Sequence, residues 1–355
     1  MKSINTESLA EHAVDLLKRL ISVPSYSGKE ELTAKIIMND LEMKGVRFLQ
    51  KGNNIWTYSK KSDKPKVLLN SHLDTVFPCS DWKYSPFSAK EENGKIYGLG
   101  SNDAGGSLVS LLMAYYVCSA MNLPFDLIFA ATAEEEITGA NGLESILPLL
   151  GSLDLAIVGE PTSMQLAIGE RGLMVLDVKS EAKSAHVANF EGKHALDIAM
   201  EDYVILKNLT FNDEQSKLGK TKITVSQIQA GKQHNVTPHE CRMVVDVRTN
   251  EIYSNEEILR ILKRELRSEV CARSTRLKAS FINEKHPVVK LAKTMGISCV
   301  ISPTISDQSV IPYPSVKIGP GNTSRSHSAN EFITVDEIKD GISTYIQILS
   351  NLKFS

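Results

Sequence analysis

The sequence predicts an α/β fold with a mixed, mainly parallel sheet flanked by helices, interrupted by a smaller inserted α+β domain. Three observations support this prediction. Strands and amphipathic helices alternate up to about residue 158, the pattern changes at about residue 170, and short strands return after Ile282 before a last helix. We therefore expect a discontinuous first domain, residues 1–168 and 283–355, and an inserted domain at 169–282.

The first half of the chain alternates helices with strands. A helix is predicted over residues 6–22, and a second from Ser27 or Gly28 to about Lys44, because apolar residues recur at helical spacing. The elements that follow are strands at 53–58 and 66–71, a helix at 105–121, a strand at 125–132, a helix near 140–149 and a strand at 154–158. This alternation is typical of a largely parallel sheet.

The second half begins with a different pattern. Two strands, LMVLDVKSEA and TKITVSQIQAG, enclose an apolar helix around 194–208. A third strand, CRMVVDVRTN, precedes the amphipathic helix NEEILRILKRELRSEV. Two strand–helix–strand units in one stretch predict the small inserted domain. The chain then ends in the helix VDEIKDGISTYIQILSNL, and this last segment is expected to rejoin the first sheet.

Composition indicates a soluble globular protein. Of 355 residues, 42% are hydrophobic and 23% charged, and the net charge of -2 comes without a basic block, which argues against a nucleic-acid surface. The N-terminus lacks a signal-peptide apolar region, and no stretch is long enough for a membrane helix. Scattered cysteines without a Cys-x-x-Cys pair indicate reduced thiols: Cys79, Cys118, Cys241, Cys271 and Cys299. We expect a cytoplasmic protein without nucleic-acid or membrane partners.

The first chemical signal follows the apolar run Val67–Leu69. His72 and Asp74 are two residues apart, so in an extended chain they point to the same side. A carboxylate beside a histidine can hold one ring nitrogen and leave the other for a metal. A hydrogen-bonded structural histidine explains this pair equally well. Asp103 lies at a second strand-to-helix corner, in the glycine-rich run GLGSNDAGG.

Carboxylates also follow two other strands. The run 127–131 ends in Glu134-Glu135-Glu136, and the run 155–158 ends in Gly159-Glu160. An acidic helix start, exposed to water, is the alternative explanation of the triplet. However, three successive strand ends now carry carboxylates, and α/β proteins place their active sites at the carboxyl ends of their strands. This repetition favours a cation-binding site.

A last set of residues lies far downstream: Gly319-Pro320-Gly321, His327 and Asn330-Glu331. With these residues the sequence resembles the M20 family of zinc amidohydrolases and peptidases. The matching segments are spread over nearly the whole chain in the family's order: Ser71-His72-Leu73-Asp74, Asn102-Asp103, Glu134–Glu136, Gly159-Glu160-Pro161-Thr162, Gly319-Pro320-Gly321, His327 and Asn330-Glu331. The family includes acetylornithine deacetylase, succinyl-diaminopimelate desuccinylase, carboxypeptidase G and aminoacylases.

The resemblance implies two zinc ions per subunit. One would be held by His72 and Glu160, the other by Glu136 and His327, and Asp103 would bridge both. Mixed imidazole and carboxylate ligands suit zinc, and Co²⁺ and Mn²⁺ are substitutes that fit the same ligands.

The resemblance also implies roles for residues that do not bind metal. Glu135 would be the general base that takes a proton from the attacking water and passes it to the leaving amine. Asp74 would orient His72. Choosing Glu135 rather than Glu134 depends on aligning the triplet with the family's Asp-Glu-Glu. A cis peptide bond is expected between Asp103 and Ala104.

The inserted segment resembles the family's dimerisation or lid domain, which implies a homodimer. His186 matches a histidine that in relatives reaches the neighbouring subunit's active site and stabilises the oxyanion. Arg171, Asn235 and Arg248 match positions near the substrate in relatives. An arginine suits a substrate carboxylate through its bidentate fork, although Arg248 could equally be a surface residue of its strand.

Other enzyme classes lack their motifs. Ser101 has Leu99 and Asp103 where a serine hydrolase elbow needs glycines, and neither a dinucleotide loop nor a P-loop is complete. We therefore predict a dinuclear zinc amide hydrolase of arginine biosynthesis, acting on a small N-acylated amino acid, N-acetyl- or N-succinyl-L-ornithine. The alternatives are a succinyl-diaminopimelate desuccinylase, a di- or carboxypeptidase with the same metals, and a metal-binding scaffold without turnover.

Overall fold

The computed structural model describes residues 6–354, which form two compact units. Unit 1 contains the described residues up to Ile168, together with Ile282–Ile301 and the described residues from Ser306 onward. Unit 2 contains Gly169–Phe281 and Ser302–Ile305. These bounds lie next to the predicted ones, and the dimerisation or lid role of the inserted segment stays a prediction.

Unit 1 contains six of the helices found in the described residues. They are α1 (Thr6–Ile21), α2 (Glu31–Met43), α3 (Gly106–Ser119), α4 (Leu143–Leu150), α7 (Pro287–Thr294) and α8 (Val335–Asn351), with α5 and α6 in unit 2. Helix α2 begins later than predicted, because Gly28 has a φ of +79° and its N–H donates to the buried Glu30 carboxylate. Within residues 6–354, no helix combines the length and apolar character needed to cross a membrane.

The main sheet of unit 1 is mixed and parallel at its centre, as predicted. Its strands are β1 (Leu49–Lys51), β2 (Asn54–Tyr58), β3 (Lys66–His72), β6 (Asp126–Thr132), β7 (Leu155–Val158), β8 (Leu166–Glu170), β14 (Cys299–Ser302) and β15 (Ser315–Lys317). The order is β1-β2-β6-β3-β7-β15-β8, with β14 also paired to β8. The pairs β6–β3, β3–β7 and β7–β15 are parallel, and β15 joins from the C-terminal segment, also as predicted.

Strand register determines which residues meet at the carboxyl ends of the central strands. Strand β6 is buried along its whole length, and Val67, Leu68 and Leu69 of β3 are fully buried, as expected for strands covered on both faces. The register pairs His72 with Thr132 and Asn70 with Val158. The carboxyl ends of β3, β6 and β7 therefore lie side by side, and the chemically active segments follow these ends.

A second, three-stranded sheet in unit 1 was not predicted. It joins β4 (Lys90–Glu92), β5 (Lys95–Tyr97) and β16 (Phe332–Thr334) in the order β16-β5-β4. Strand β16 pairs antiparallel with β5, so that Phe332 lies opposite Tyr97. The sheet thereby ties the segment before Asp103 to the segment after His327.

Unit 2 has a four-stranded antiparallel sheet with two helices, in agreement with the predicted strand–helix–strand units. The strands β9 (Gly172–Glu181), β10 (Lys222–Ala230), β11 (Glu240–Thr249) and β12 (Glu269–Ala272) pair in the order β10-β11-β9-β12. Helices α5 (Ala195–Asn208) and α6 (Asn255–Glu265) complete the unit, and a two-residue strand, β13 (Ser280–Phe281), follows. Burial alternates along β9 and β11, because only one face of the sheet is covered by the core.

Candidate metal centre

Side chains from five segments of unit 1 form two adjoining groups of potential metal ligands. One group is His72, Asp103 and Glu160, and the other is Asp103, Glu136 and His327. Within each group the candidate ligand atoms lie within 4.8 Å of one another. Asp103 belongs to both groups. The structure thus brings together the five residues that the family resemblance implied as ligands, and their binding of metal stays a prediction.

His72 is buried at the end of β3, and its two ring nitrogens have different surroundings. Nε2 lies 3.3 Å from Oδ1 of Asp103 and 3.7 Å from Oε1 of Glu160. Nδ1 lies 2.9 Å from the main-chain carbonyl of Asp74 and 3.5 Å from its carboxylate. The main-chain oxygen therefore holds this ring more closely than the predicted carboxylate does. A proton on Nδ1 would leave the lone pair of Nε2 directed at the carboxylates.

The Asp74 carboxylate has a further set of partners. Oδ1 accepts a hydrogen bond from the N–H of Glu135 at 3.0 Å, and Oδ2 accepts from the N–H of Glu136 at 3.1 Å and from Ser27 Oγ at 2.6 Å. Burial raises the pKa of Asp74, but the contact with His72 and these bonds outweigh it and lower the pKa. Asp74 thus fixes the acidic segment as well as lying beside His72.

Asp103 and His327 come from two irregular loops. The peptide bond between Asp103 and Ala104 is cis, as expected. His327 has a φ of +57°, and its Nε2 lies 2.9 Å from Oε2 of Glu136 and 3.6 Å from Oδ2 of Asp103. The hydrogen bond to Glu136 is the main reason that the pKa of His327 rises to about 9, with the Asp103 charge adding to it. The two oxygens of Asp103 therefore face different histidines.

Glu134 and Glu135 are neighbours with different surroundings. Glu134 has a φ of +59°, and its carboxylate accepts hydrogen bonds from the main chain and the side chain of Asn141 at 3.1 and 3.0 Å. The pKa of Glu135 is well above its usual value because of burial, with the charges of Glu160 and Asp307 adding to it against that of His72. A carboxyl group with a raised pKa in such a cluster suits a general base, whereas Glu134 is bound within its own loop.

The electrostatics of the cluster fit a divalent cation. Burial and the nearby Asp103 raise the pKa of Glu160 to about 8, despite the opposing charges of His72 and Lys317. Carboxylates at close quarters disfavour each other's ionisation, and a multivalent cation removes that penalty. Imidazole nitrogens with carboxylate oxygens are the donor set that zinc and related divalent ions take. The residues present therefore fit a metal pair.

The remaining predicted residues lie in unit 2 and are described within it. His186 is exposed, and its Nδ1 accepts from the N–H of Ala188 at 3.2 Å. The main-chain oxygen of Asn235 accepts from Val187 at 3.1 Å, and Nε of Arg171 donates to the carbonyl of Leu218 at 2.7 Å.

Arg248 forms a two-point pair with Asp246 on its own strand. Its Nε and Nη2 lie 2.9 and 3.1 Å from the two carboxylate oxygens of Asp246. The guanidinium group of Arg248 is therefore paired on the surface of its own strand, as in the alternative of a surface residue. To bind a substrate, Arg248 would have to release Asp246.

Two buried glutamates in the site loops received no role from the sequence. Glu331 accepts hydrogen bonds from the main-chain N–H groups of the loop that carries Asp103, and Glu30 accepts from the N–H of Glu134 at 3.2 Å. The sequence offered a signal for Glu331, because Asn330-Glu331 belongs to the segments that carry the family resemblance. Glu30 lies in a stretch without such a motif.

Comparison with known proteins supports the resemblance. The family model described as Peptidase family M20/M25/M40 matches residues 68–351. A succinyl-diaminopimelate desuccinylase from Wigglesworthia glossinidia brevipalpis is 30% identical over 71% of this chain and 73% of its own length. A [LysW]-lysine/[LysW]-ornithine hydrolase from Saccharolobus solfataricus is 26% identical over 98% of this chain and 97% of its own length.

Solved structures share the fold over almost the whole chain. A tripeptidase from Staphylococcus aureus has a TM-score of 0.73 at 21% identity and covers 98% of both chains. An M20 family metallo-carboxypeptidase from Sulfolobus solfataricus has a TM-score of 0.71 at 20% identity, over 96% of this chain and 98% of that one. At these identities the likeness concerns the fold.

Proposed function

Because the chain belongs to peptidase family M20/M25/M40, we propose that it is a metal-dependent deacylase of a small N-acyl amino acid. The proposed substrate is N-acetyl- or N-succinyl-L-ornithine, in a cytoplasmic route of arginine biosynthesis. The observation that carries the proposal is the position of Asp103, whose two carboxylate oxygens lie 3.3 Å from Nε2 of His72 and 3.6 Å from Nε2 of His327. Such a shared carboxylate suits two adjacent cations.

The proposed cofactors are two zinc ions per subunit. His72 and Glu160 would hold one, Glu136 and His327 would hold the other, and Asp103 would contact both. Bound divalent ions supply Lewis acidity, which polarises an amide carbonyl and makes water more acidic. The pKa values of Glu160 and His327 are raised in the metal-free chain, so these side chains hold protons that metal binding would displace.

Glu135 is the proposed general base and acid. Its raised pKa lets it take a proton from the attacking water and pass it to the nitrogen of the leaving amine as the amide bond breaks. Asp74 holds the main chain of Glu135 and Glu136 through two hydrogen bonds, so it would aim the base and one ligand together. The Nδ1 contact of His72 fixes its ring for the other ion.

The inserted unit would supply substrate contacts in a homodimer. We propose that His186 stabilises the oxyanion formed from the acyl carbonyl, and that Arg171, Asn235 and Arg248 bind the amino-acid part. The exposure of His186 and Asn235 is compatible with contact to a ligand. Arg248 would change partners from Asp246 to a substrate carboxylate, which is the same chemical group.

The relatives' names support removal of an acyl group. Two of the named relatives are a succinyl-diaminopimelate desuccinylase and a [LysW]-lysine/[LysW]-ornithine hydrolase, whereas the solved structures include a tripeptidase and a carboxypeptidase. A peptidase with the same metals is therefore the second candidate. The first set of names comes with higher sequence identity, so the deacylase is preferred.

The test is turnover by the zinc-loaded protein on four substrates measured side by side: N-acetyl-ornithine, N-succinyl-ornithine, N-succinyl-diaminopimelate and a dipeptide. Preference for an ornithine derivative supports the proposal and identifies the acyl group. Preference for the diaminopimelate compound moves the enzyme to the desuccinylases, and hydrolysis of the dipeptide alone moves it to the peptidases. Zinc binding without any turnover would indicate a scaffold.

A further inference from the structure

Glu331 is a buried carboxylate that faces the main chain of the loop carrying Asp103. Its side chain is 2% exposed. Oε1 accepts hydrogen bonds from the N–H groups of Asn102 at 2.8 Å and Asp103 at 3.0 Å, and Oε2 accepts from the N–H of Gly100 at 3.2 Å. Three donors from one short turn thus converge on a single side chain.

The main chain around Glu331 strengthens this attachment. The carbonyl of Glu331 accepts from the N–H of Gly98 at 3.0 Å, and Phe332 pairs with Tyr97 in the small antiparallel sheet. His327 lies four residues before Glu331 in the same segment. One segment therefore carries the candidate ligand His327 and, through Glu331, also binds the turn that carries Asp103, the ligand common to both groups.

The two side-chain oxygens of Glu331 serve all three N–H donors, Oε1 accepting two bonds and Oε2 one. Burial and the nearby charge of Asp103 raise the pKa of Glu331 to about 8, and these three bonds oppose that rise because an ionised carboxylate has acceptor atoms only. A glutamine at this position could keep the two bonds of Oε1 through its carbonyl, but its NH₂ group would then face the N–H of Gly100. An alanine would leave all three donors, at a largely buried turn, without these partners.

We propose that Glu331 is a positioning residue of the metal centre, which fixes the main chain at Asp103 so that its two carboxylate oxygens face His72 and His327. The inference rests on the proposed metal pair and adds a residue to it that binds no metal. Glu331 acts through the main chain of Asp103, so its loss should change how tightly and in what geometry the ions are held.

The experiment compares the wild type with Glu331→Ala and Glu331→Gln, and the probe is the metal itself. Zn²⁺ is titrated into metal-free protein against a chromophoric chelator, and the visible absorption of the Co²⁺-loaded protein reports ligand geometry. Substitutions of partners that orient metal ligands weaken metal binding by about 10–100-fold. We expect a loss in that range with a changed Co²⁺ spectrum for Glu331→Ala, and a smaller loss for Glu331→Gln.

A matched control is Asp126→Asn, at the opposite end of β6. Asp126 is a buried carboxylate that accepts from the N–H of Ser62 at 2.7 Å, as Glu331 does from its turn. It begins the strand whose other end adjoins the site, about 20 Å away at 3.3 Å per residue. We expect a lower melting temperature with unchanged Zn²⁺ affinity and an unchanged Co²⁺ spectrum.

The outcomes separate this inference from the proposed function. Wild-type protein that binds no zinc would overturn both the inference about Glu331 and the proposed function. Wild-type Zn²⁺ affinity and an unchanged Co²⁺ spectrum in Glu331→Ala would overturn the inference and leave the proposed function standing. A loss of Zn²⁺ affinity in Asp126→Asn as large as that in Glu331→Ala would do the same. If Glu331→Ala does not fold, Glu331→Gln decides, because an unchanged affinity and Co²⁺ spectrum in that variant would also overturn it.

Discussion

The carboxylate of Asp74 accepts a hydrogen bond from the main-chain N–H of Glu135 at 3.0 Å. A second bond, from the N–H of Glu136 at 3.1 Å, involves the other oxygen of the same carboxylate. The proposed base and a proposed ligand are thus held by one side chain that follows a different strand. This connection couples the position of the base to the position of the metal ligands.

Substitution of Asp74 by asparagine should uncouple the position of the base, Glu135, from that of the ligand Glu136. The amide can accept only one of the two main-chain bonds, and its NH₂ group would face the other N–H, so kcat should fall about 10–100-fold, as for other partners that orient a metal site. Steady-state kinetics and zinc titration measure the effect. Ser27→Ala, which removes only the hydroxyl bond to Asp74, is the control, and a larger loss in that variant would contradict the prediction.

Glu135→Gln should lose turnover while keeping its metal. Removing a general base lowers the rate by about 10²–10⁴-fold, and the amide preserves the size of the side chain. Glu134→Gln is the matched control, because Glu134 bonds to Asn141 in its own loop, and it should retain most of the wild-type kcat. Activity with the best acyl substrate and zinc content by atomic absorption are the measurements. Equal losses in the two variants would refute the assignment of the base.

Chelation should abolish activity, and added Zn²⁺, Co²⁺ or Mn²⁺ should restore it. Substituting His327 by alanine should lower the metal content from two ions to about one per chain, because His327 belongs to only one of the two ligand groups. The control is His286→Ala, since Nδ1 of His286 accepts from Val288 at the start of α7 and lies in neither group. Full metal content in His327→Ala would argue against the ligand set.

The metal-free protein should lose stability as pH rises. The pKa of Glu160 is about 8 against an ordinary 4.5, and that of His327 is about 9 against 6.5. Between about pH 5 and pH 9 the folded chain thus holds protons that the unfolded chain has released, so the free energy of unfolding decreases across that window. His327 is half-exposed, so solvent screening makes its share smaller.

Zinc should counteract this loss of stability increasingly as pH rises. Its binding needs deprotonated ligands, so the rise in melting temperature on adding zinc should grow between pH 5 and pH 9. Thermal melts at pH 5, 7 and 9, with and without zinc, test both statements. A metal-free protein that becomes more stable with increasing pH would disprove the first, and a zinc effect that shrinks would disprove the second.

Much of the fold was predictable because burial leaves a direct trace in sequence. Strand β6 is apolar over most of its length and was predicted within one residue, and α1 follows from its apolar stripe. The small sheet of β4, β5 and β16 was missed. Its pairing of Phe332 with Tyr97 joins segments far apart in the chain, which leaves little local signal, whereas β4 and β5 form a hairpin whose Asn93-Gly94 turn is a signal present in the sequence.

The site was predictable to the extent that it lies at strand ends. His72 ends β3, Glu136 and Glu160 follow the two strands beside it, and Asp103 lies at a glycine-rich corner. The family resemblance added His327. The contact of His72 with the main-chain oxygen of Asp74, rather than mainly with its carboxylate, depends on how the chain turns after β3. The bonds of Glu331 to main-chain N–H groups leave no pattern in side-chain types, so sequence supplied the residue without its role.

Strand β15 lies between β7 and β8 in the sheet, although it follows the inserted segment in the chain. During synthesis, β7 and β8 therefore emerge from the ribosome long before the strand that separates them. Until then each has an open hydrogen-bonding edge, which is a site for pairing with other chains. His327 emerges later still, so the nascent chain cannot assemble the second ligand group. Activity should thus appear only after the segment with His327 has been made, and truncations before β15 should be inactive and prone to aggregate.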